Sequence, residues 1–169
     1  MLFIATPDLD IWPLAYLALV PILAVTRGVS PGKAFLWGWL CGTIANAGGF
    51  YWVNHLLVVF AHLHWAPSFA IFLLMMAYQG LLYAFFVLFV RLIRRKHPGL
   101  PMTLVAPVVF TGLELCIPYV FPYYLALTQS WVVPLIQVAD LAGPLGISFL
   151  ILLLNGVAYD LLHHRLDGG

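Results

Sequence analysis

Long apolar runs alternate along this chain with short polar breaks, and most of the runs have the length of a helix rather than of a strand. The pattern predicts helices over about 11–26, 34–58, 67–92, 102–120 and 145–162. The second run, followed as far as Phe60, contains no Asp, Glu, Lys or Arg. A hydrocarbon layer about 30 Å thick takes about 20 residues of helix to cross, at about 1.5 Å per residue. The first run is short for that task and is expected to be tilted or partly interfacial. Between the last two runs lies 121–144, too long for a tight turn and too apolar for a free loop. Its Tyr123, Tyr124, Trp131 and the prolines 122, 134 and 144 predict an interfacial segment, where amphipathic rings settle and missing donors cost little. Trp12, Trp52 and Trp65 fall at the same ends of their runs and extend that aromatic belt.

Composition turns the pattern into a statement about solvent. The chain is 64% hydrophobic and 8% charged, with a mean hydropathy of +1.03, outside the range of soluble globular domains. Its 7 Lys and Arg sit in three places: Arg27 and Lys33, then Arg91, Arg94, Arg95 and Lys96, then Arg165. These clusters fall at every second boundary between runs, the signature of basic residues held on the cytoplasmic side. The expected fold is therefore an all-α polytopic transmembrane helical bundle of about five helices, a single membrane domain over 1–169. Its N-terminus, residues 61–66 and 121–144 lie outside, and its C-terminus is cytoplasmic. No basic tail or acidic tract supports nucleic-acid binding. The first residues carry Asp8 and Asp10 instead of the basic region of a signal peptide. Cys41 and Cys116 lie within apolar runs and read as small hydrophobes, with no disulfide or metal framework.

Few residues offer chemistry. Gly38, Gly42, Ala45 and Gly49 share one helical face, a small-residue surface that admits a neighbouring helix. Glu114 is the one carboxylate deep in an apolar run, which calls either for a function or for a structural partner such as Asn46, Asn54, Gln79 or Thr111. His55, His62 and His64 have a spacing that zinc can use, but they lack a defined fourth ligand, so interfacial histidines are the expectation. Asp140 reads as a solvated or capping residue, and His163 and His164 precede a disordered-looking end over 166–169. No nucleophile with base and orienting acid is present at a recognisable spacing, and no phosphate-binding glycine loop. No metal or cofactor is expected.

Several stretches, taken in order, resemble bacterial apolipoprotein N-acyltransferases. The opening Trp12-Pro-Leu-Ala-Tyr-Leu-Ala-Leu-Val-Pro21, with Arg27 and Lys33-Ala-Phe-Leu-Trp-Gly-Trp39, is similar to the start of that family. Gly48-Gly-Phe-Tyr-Trp52 resembles its next helix, and Glu114, Phe121-Pro-Tyr-Tyr124 and Gln129 its glutamate and Phe-Pro-aromatic region. Pro134-Leu-Ile-Gln-Val-Ala-Asp140, Gly143-Pro-Leu-Gly-Ile-Ser-Phe-Leu150 and Asn155 resemble the stretch leading into a later helix. Two positions depart from the pattern: Ile117 stands where the family commonly has an arginine, and Tyr123 where it has a tryptophan.

The resemblance implies a multi-pass protein of the bacterial inner membrane. It implies an enzyme family that moves an acyl chain from phospholipid to the N-terminal cysteine of a lipoprotein. The family's catalytic Glu-Lys-Cys set belongs to a nitrilase-like domain that follows these helices, and the family usually has a further helix before the Trp12 segment. This chain is accordingly expected to be the membrane domain alone, with no catalytic residue of its own. Membrane phospholipid would be its partner, with lipoprotein reached through the missing domain. Tyr123, Tyr124, Trp131 and Glu114 are the expected lipid-binding residues, and Gly38, Gly42 and Gly49 the helix-packing ones. Two rivals need different features. A small transporter or channel subunit needs a polar path built from Glu114, Asn46, Asn54 and Gln79, and a membrane scaffold needs a free Gly38/Gly42 face.

Overall fold

The computed structural model describes residues 12–121 and 124–167. The described residues are almost entirely helical. A turn of 3-10 helix, Trp12–Tyr16, leads into α1 (Val20–Val25) and a second such turn, Thr26–Gly28. Then come α2 (Pro31–Gly49), α3 (Trp52–Phe60), α4 (Trp65–Lys96), α5 (Met102–Cys116), a 3-10 turn at Leu125–Gln129, and α6 (Val133–Asp167). Two stretches, Trp65–Lys96 and Ala139–Leu162, are long and apolar enough to cross a membrane.

Small residues set the first helix pair. Tyr83 and Ala84 of α4 press on Gly38, Tyr83 also covers Gly42, and Gly80 meets Thr43 and the Trp39 carbonyl. Partner numbers fall along α4 as they rise along α2, so the two helices run antiparallel. The Trp39 indole N–H donates to the Ala77 carbonyl at 2.8 Å across the same seam. The α5–α6 pair repeats the device, with Gly156 against the Met102 carbonyl and Thr103. Phe110 of α5 joins the pairs, meeting Tyr83 and Phe86 of α4 edge to face at 5.7 and 5.1 Å.

The structure revises several boundaries. The run expected as one helix over 34–58 is two, because Gly48 and Gly49 weaken the helix where Phe50 turns inward. Phe50 is 6% exposed beside a Tyr51 that is 62% exposed, and it packs with Val53, Phe72 and Met76 in a small second core. The helix expected to reach 120 stops at Cys116, since Ile117 precedes Pro118 and adopts extended backbone at φ −90, ψ 117. The run over 67–92 extends to Trp65 and Lys96. The first run, about 11–26, is not one helix; from Trp12 on it is a 3-10 turn followed by the short α1.

The segment 121–144 departs furthest from the interfacial reading. Leu125, Ala126, Thr128 and Gln129 are buried, and α6 has already begun at Val133. α6 continues through Asp167, where a loose end was expected from 166; residues 168–169 lie outside the described residues. It is kinked at Gly143, whose φ 65, ψ −177 lies in a region open essentially to glycine alone, just before Pro144.

Candidate functional site

At the end of the bundle remote from the basic clusters, one carboxylate organises the chain. Glu114, in the last turn of α5, is 3% exposed. The Leu125 backbone N–H donates to its Oε1 at 2.8 Å, and the hydroxyls of Ser148 and Tyr119 stand beside the carboxyl. Ser148 Oγ also accepts from the Ala126 N–H at 3.2 Å, so α5 and α6 together hold the start of the Leu125–Gln129 turn. Glu114 Oε2 is buried without a hydrogen-bond partner. None of the four partners expected for Glu114 is the one observed.

The far end of that turn is tied to the beginning of the chain. Tyr16 donates its hydroxyl to Gln129 Oε1 at 3.1 Å, and Gln129 Nε2 donates to the Trp12 carbonyl at 3.2 Å. Asn155 of α6, fully buried, works the same way one level down. Its Oδ1 accepts from the Leu19 N–H at 3.0 Å and its Nδ2 donates to the Ala15 carbonyl at 2.9 Å. These bonds replace the helical ladder where the chain before α1 is not α-helical.

Of the expected lipid contacts, Trp131 is 66% exposed, while Tyr124 is half-buried against Tyr119, ring centres 5.4 Å apart. Tyr123 lies outside the described residues, as do Pro122 and the side chains of His163 and His164. Phe121 is half-buried on an aromatic platform with Phe50 and Trp52, at 6.1 Å from each. Beside this platform the Phe121 N–H donates to Gln79 Oε1 at 3.2 Å.

Of the four residues that a polar path would need, Gln79, Asn46 and Glu114 make contacts inside the bundle, while Asn54 Oδ1 is buried without a hydrogen-bond partner. Gln79 Nε2 points to Asn46 Oδ1 at 3.5 Å, and Asn46 Nδ2 donates to the Gly42 carbonyl at 2.8 Å. With Glu114 Oε1 bound to Leu125, these three side chains are engaged with one another and the backbone inside the bundle, while Glu114 Oε2 stays without a partner. Tyr83 of the same chain packs against Gly38 and Gly42, which also border a cleft between α1, α2 and α4. Gly49 is the last residue of α2, half-buried beside the break. Among the described residues no three His, Cys, Asp or Glu side chains gather as a metal site would require.

A large hollow lies on the side of the bundle, between α1, α2 and α4. It is a cleft of about 960 Å³ with walls of Pro21, Ile22, Trp37, Ile44, Ala45 and Val87, and it contains no charged side chain. Sequence reasoning expected a lateral acyl-chain groove with its mouth at Tyr123, Tyr124 and Trp131 but did not place this cleft, which lies where the short α1 leaves the α2–α4 seam uncovered. Nor did it assign roles to Asn155, Gln129 and Asp160; a buried polar residue in an apolar run was the available signal.

Comparison with known proteins bears on this arrangement. A family model described as the apolipoprotein N-acyltransferase N-terminal domain matches residues 1–157. The apolipoprotein N-acyltransferase of Geobacter metallireducens is 32% identical over 166 residues, covering 96% of this chain and 32% of that protein. That of Rhodopirellula baltica is 32% identical over 180 residues, with 96% and 29% covered. That of Bdellovibrio bacteriovorus is 30% identical over 149 residues, with 85% and 27% covered. The chain therefore spans about a third of the length of the curated relatives it matches. No solved structure matches it.

Proposed function

The chain belongs to the apolipoprotein N-acyltransferase family through its N-terminal domain, and from that premise we propose that it forms the membrane-embedded part of the acyl-transfer machinery, anchoring it and holding phospholipid acyl chains. In this reading it is a multi-pass protein of the bacterial inner membrane. α2 with α3, α4, α5 and α6 cross the bilayer, and the end bearing Arg27 and Arg91 faces the cytoplasm. Two observations support that orientation: the basic segments meet at one end, where Arg91 Nε of α4 donates to the Val29 carbonyl at 2.8 Å, and Trp131 is exposed at the other. Transfer of an acyl chain to a lipoprotein is assigned to the longer relatives' reaction; the role proposed here is binding and anchoring.

The observation that carries the proposal is the apolar cleft of about 960 Å³. Its size falls at the upper end of the range in which small-molecule sites are found. Moving an acyl chain from bilayer to protein gains little from the hydrophobic effect, so retention depends on the fit to the walls. Trp131 acts in this reading as an interfacial anchor. Tyr124 and Glu114 support the outer turn from inside, which favours the structural role for Glu114 over a headgroup contact.

The test is phospholipid retained through purification, counted by mass spectrometry. Ala45→Trp, which fills the cleft from its wall, is expected to lower it. Leu74→Trp, on an exposed position of α4 outside the cleft, is expected to leave it unchanged. Equal retention in both variants would overturn the proposal.

A further inference from the structure

We propose a second lipid site at the basic end of the bundle, a cradle for the phosphate of an anionic phospholipid built from Arg27, Arg91 and Arg94. Arg27 comes from the Thr26–Gly28 turn and Arg91 and Arg94 from the last turns of α4, yet they border one small surface hollow of about 20 Å³ with Leu23, Val90 and Met102. Arg91 and Arg94 are half-buried and Arg27 is exposed. Arg91 is held by Nε on the Val29 carbonyl, which leaves its two terminal amino groups to act from a fixed position. Arg94 lies over the Tyr159 ring, 5.6 Å from its centre, which presents a planar fork instead of a mobile charge.

Asp160, next to Tyr159 on α6, is committed elsewhere. Asp160 Oδ1 accepts from the Met102 N–H and Oδ2 from the Thr103 N–H and hydroxyl, at 3.0, 2.9 and 2.8 Å. Guanidinium groups fixed in this way match a phosphate, which accepts paired hydrogen bonds from each fork. Basic pockets between membrane helices on the cytoplasmic side suit acidic headgroups for the same reason. Ile22 and Val25 of α1, neighbours in the chain of Leu23 and Arg27, belong to the wall of the apolar cleft. The cradle goes beyond orientation, which needs only basic residues on one side and no common cleft. It rests on the membrane reading above for the presence of a lipid surface, while its headgroup contacts do not depend on the acyl-chain cleft.

The experiment uses the purified protein in neutral detergent, offered phosphatidylglycerol or phosphatidylcholine, with bound lipid counted by native mass spectrometry. Preference for phosphatidylglycerol is expected in the wild type, falling about fivefold for each of Arg27→Gln and Arg94→Gln, as for one basic residue at an anionic surface. The wild-type preference should also shrink at high ionic strength, a reading that does not depend on the variants folding. Equal retention of the two lipids, or a preference untouched by salt, would overturn the site. Complete displacement of phosphatidylglycerol by inorganic phosphate would overturn the lipid assignment in favour of a soluble anion. Ala45→Trp should leave the preference in place while lowering total lipid, so a failure of the cleft and a failure of the cradle give different results.

Discussion

Asp160 and Thr103 are joined twice: the Thr103 backbone N–H and its hydroxyl both donate to Asp160 Oδ2, at 2.9 and 2.8 Å. Asp160 Oδ1 meanwhile takes the Met102 N–H at 3.0 Å. A residue of α6 thus caps the first turn of α5, where Pro101 in the N-cap position supplies no side-chain acceptor.

Asp160→Ala is expected to leave those donors unpaired and to cost about 0.5–2 kcal/mol, the usual range for a lost cap. Asp160→Asn keeps one acceptor oxygen and should cost less. Thermal unfolding of the two variants in detergent checks this, and equal loss in both would argue against capping.

Glu114 binds the Leu125 N–H, so Glu114→Leu should strand a buried donor at a cost of about 1–3 kcal/mol. Glu114→Gln retains a carbonyl acceptor and is expected to fold nearly as well. Limited proteolysis between 117 and 132 should quicken in Glu114→Leu and not in Glu114→Gln. If Glu114→Gln is as damaged as Glu114→Leu, the carboxylate does something that hydrogen bonding does not explain.

The glycines of α2 and α5 should separate cleanly. A Cβ on Gly38 would stand 2.6 Å from the Tyr83 carbonyl oxygen, a backbone atom that cannot step aside. Gly38→Ala is expected to push α2 from α4 and cost about 1–3 kcal/mol. Gly112 has no neighbour within 4 Å, so Gly112→Ala should be neutral or stabilising by up to about 1 kcal/mol through helix propensity. Melting temperatures of the pair decide it.

Asn155 serves two backbone groups of the chain before α1, the Ala15 carbonyl and the Leu19 N–H. Asn155→Leu keeps the volume but orphans both, and each buried group left unpaired costs about 1–3 kcal/mol. Hydrogen exchange at Leu19 should rise well above that of the α4 core, and protection equal to the wild type would count against the anchoring role.

The sequence by itself determined the helical class, the approximate extent of α4, the basic end of the molecule and the small-residue face at Gly38 and Gly42. Hydropathy, charge and helical periodicity are properties of neighbours in the chain, so a single run displays them. It also showed that Glu114 was anomalous, since an acidic residue inside an apolar run is visible without a fold. The tertiary structure decided who answers each anomaly. Leu125 binds Glu114, Asp160 caps α5 from 57 to 58 residues away, and Asn155 reaches back 136 and 140. The convergence of Arg27 with Arg91 and Arg94, and the cleft that α1 leaves open, were likewise decided by packing. These relationships depend on which helix faces meet, and antiparallel pairing through Gly38, Gly80 and Gly156 brings residues far apart in the chain within hydrogen-bonding distance.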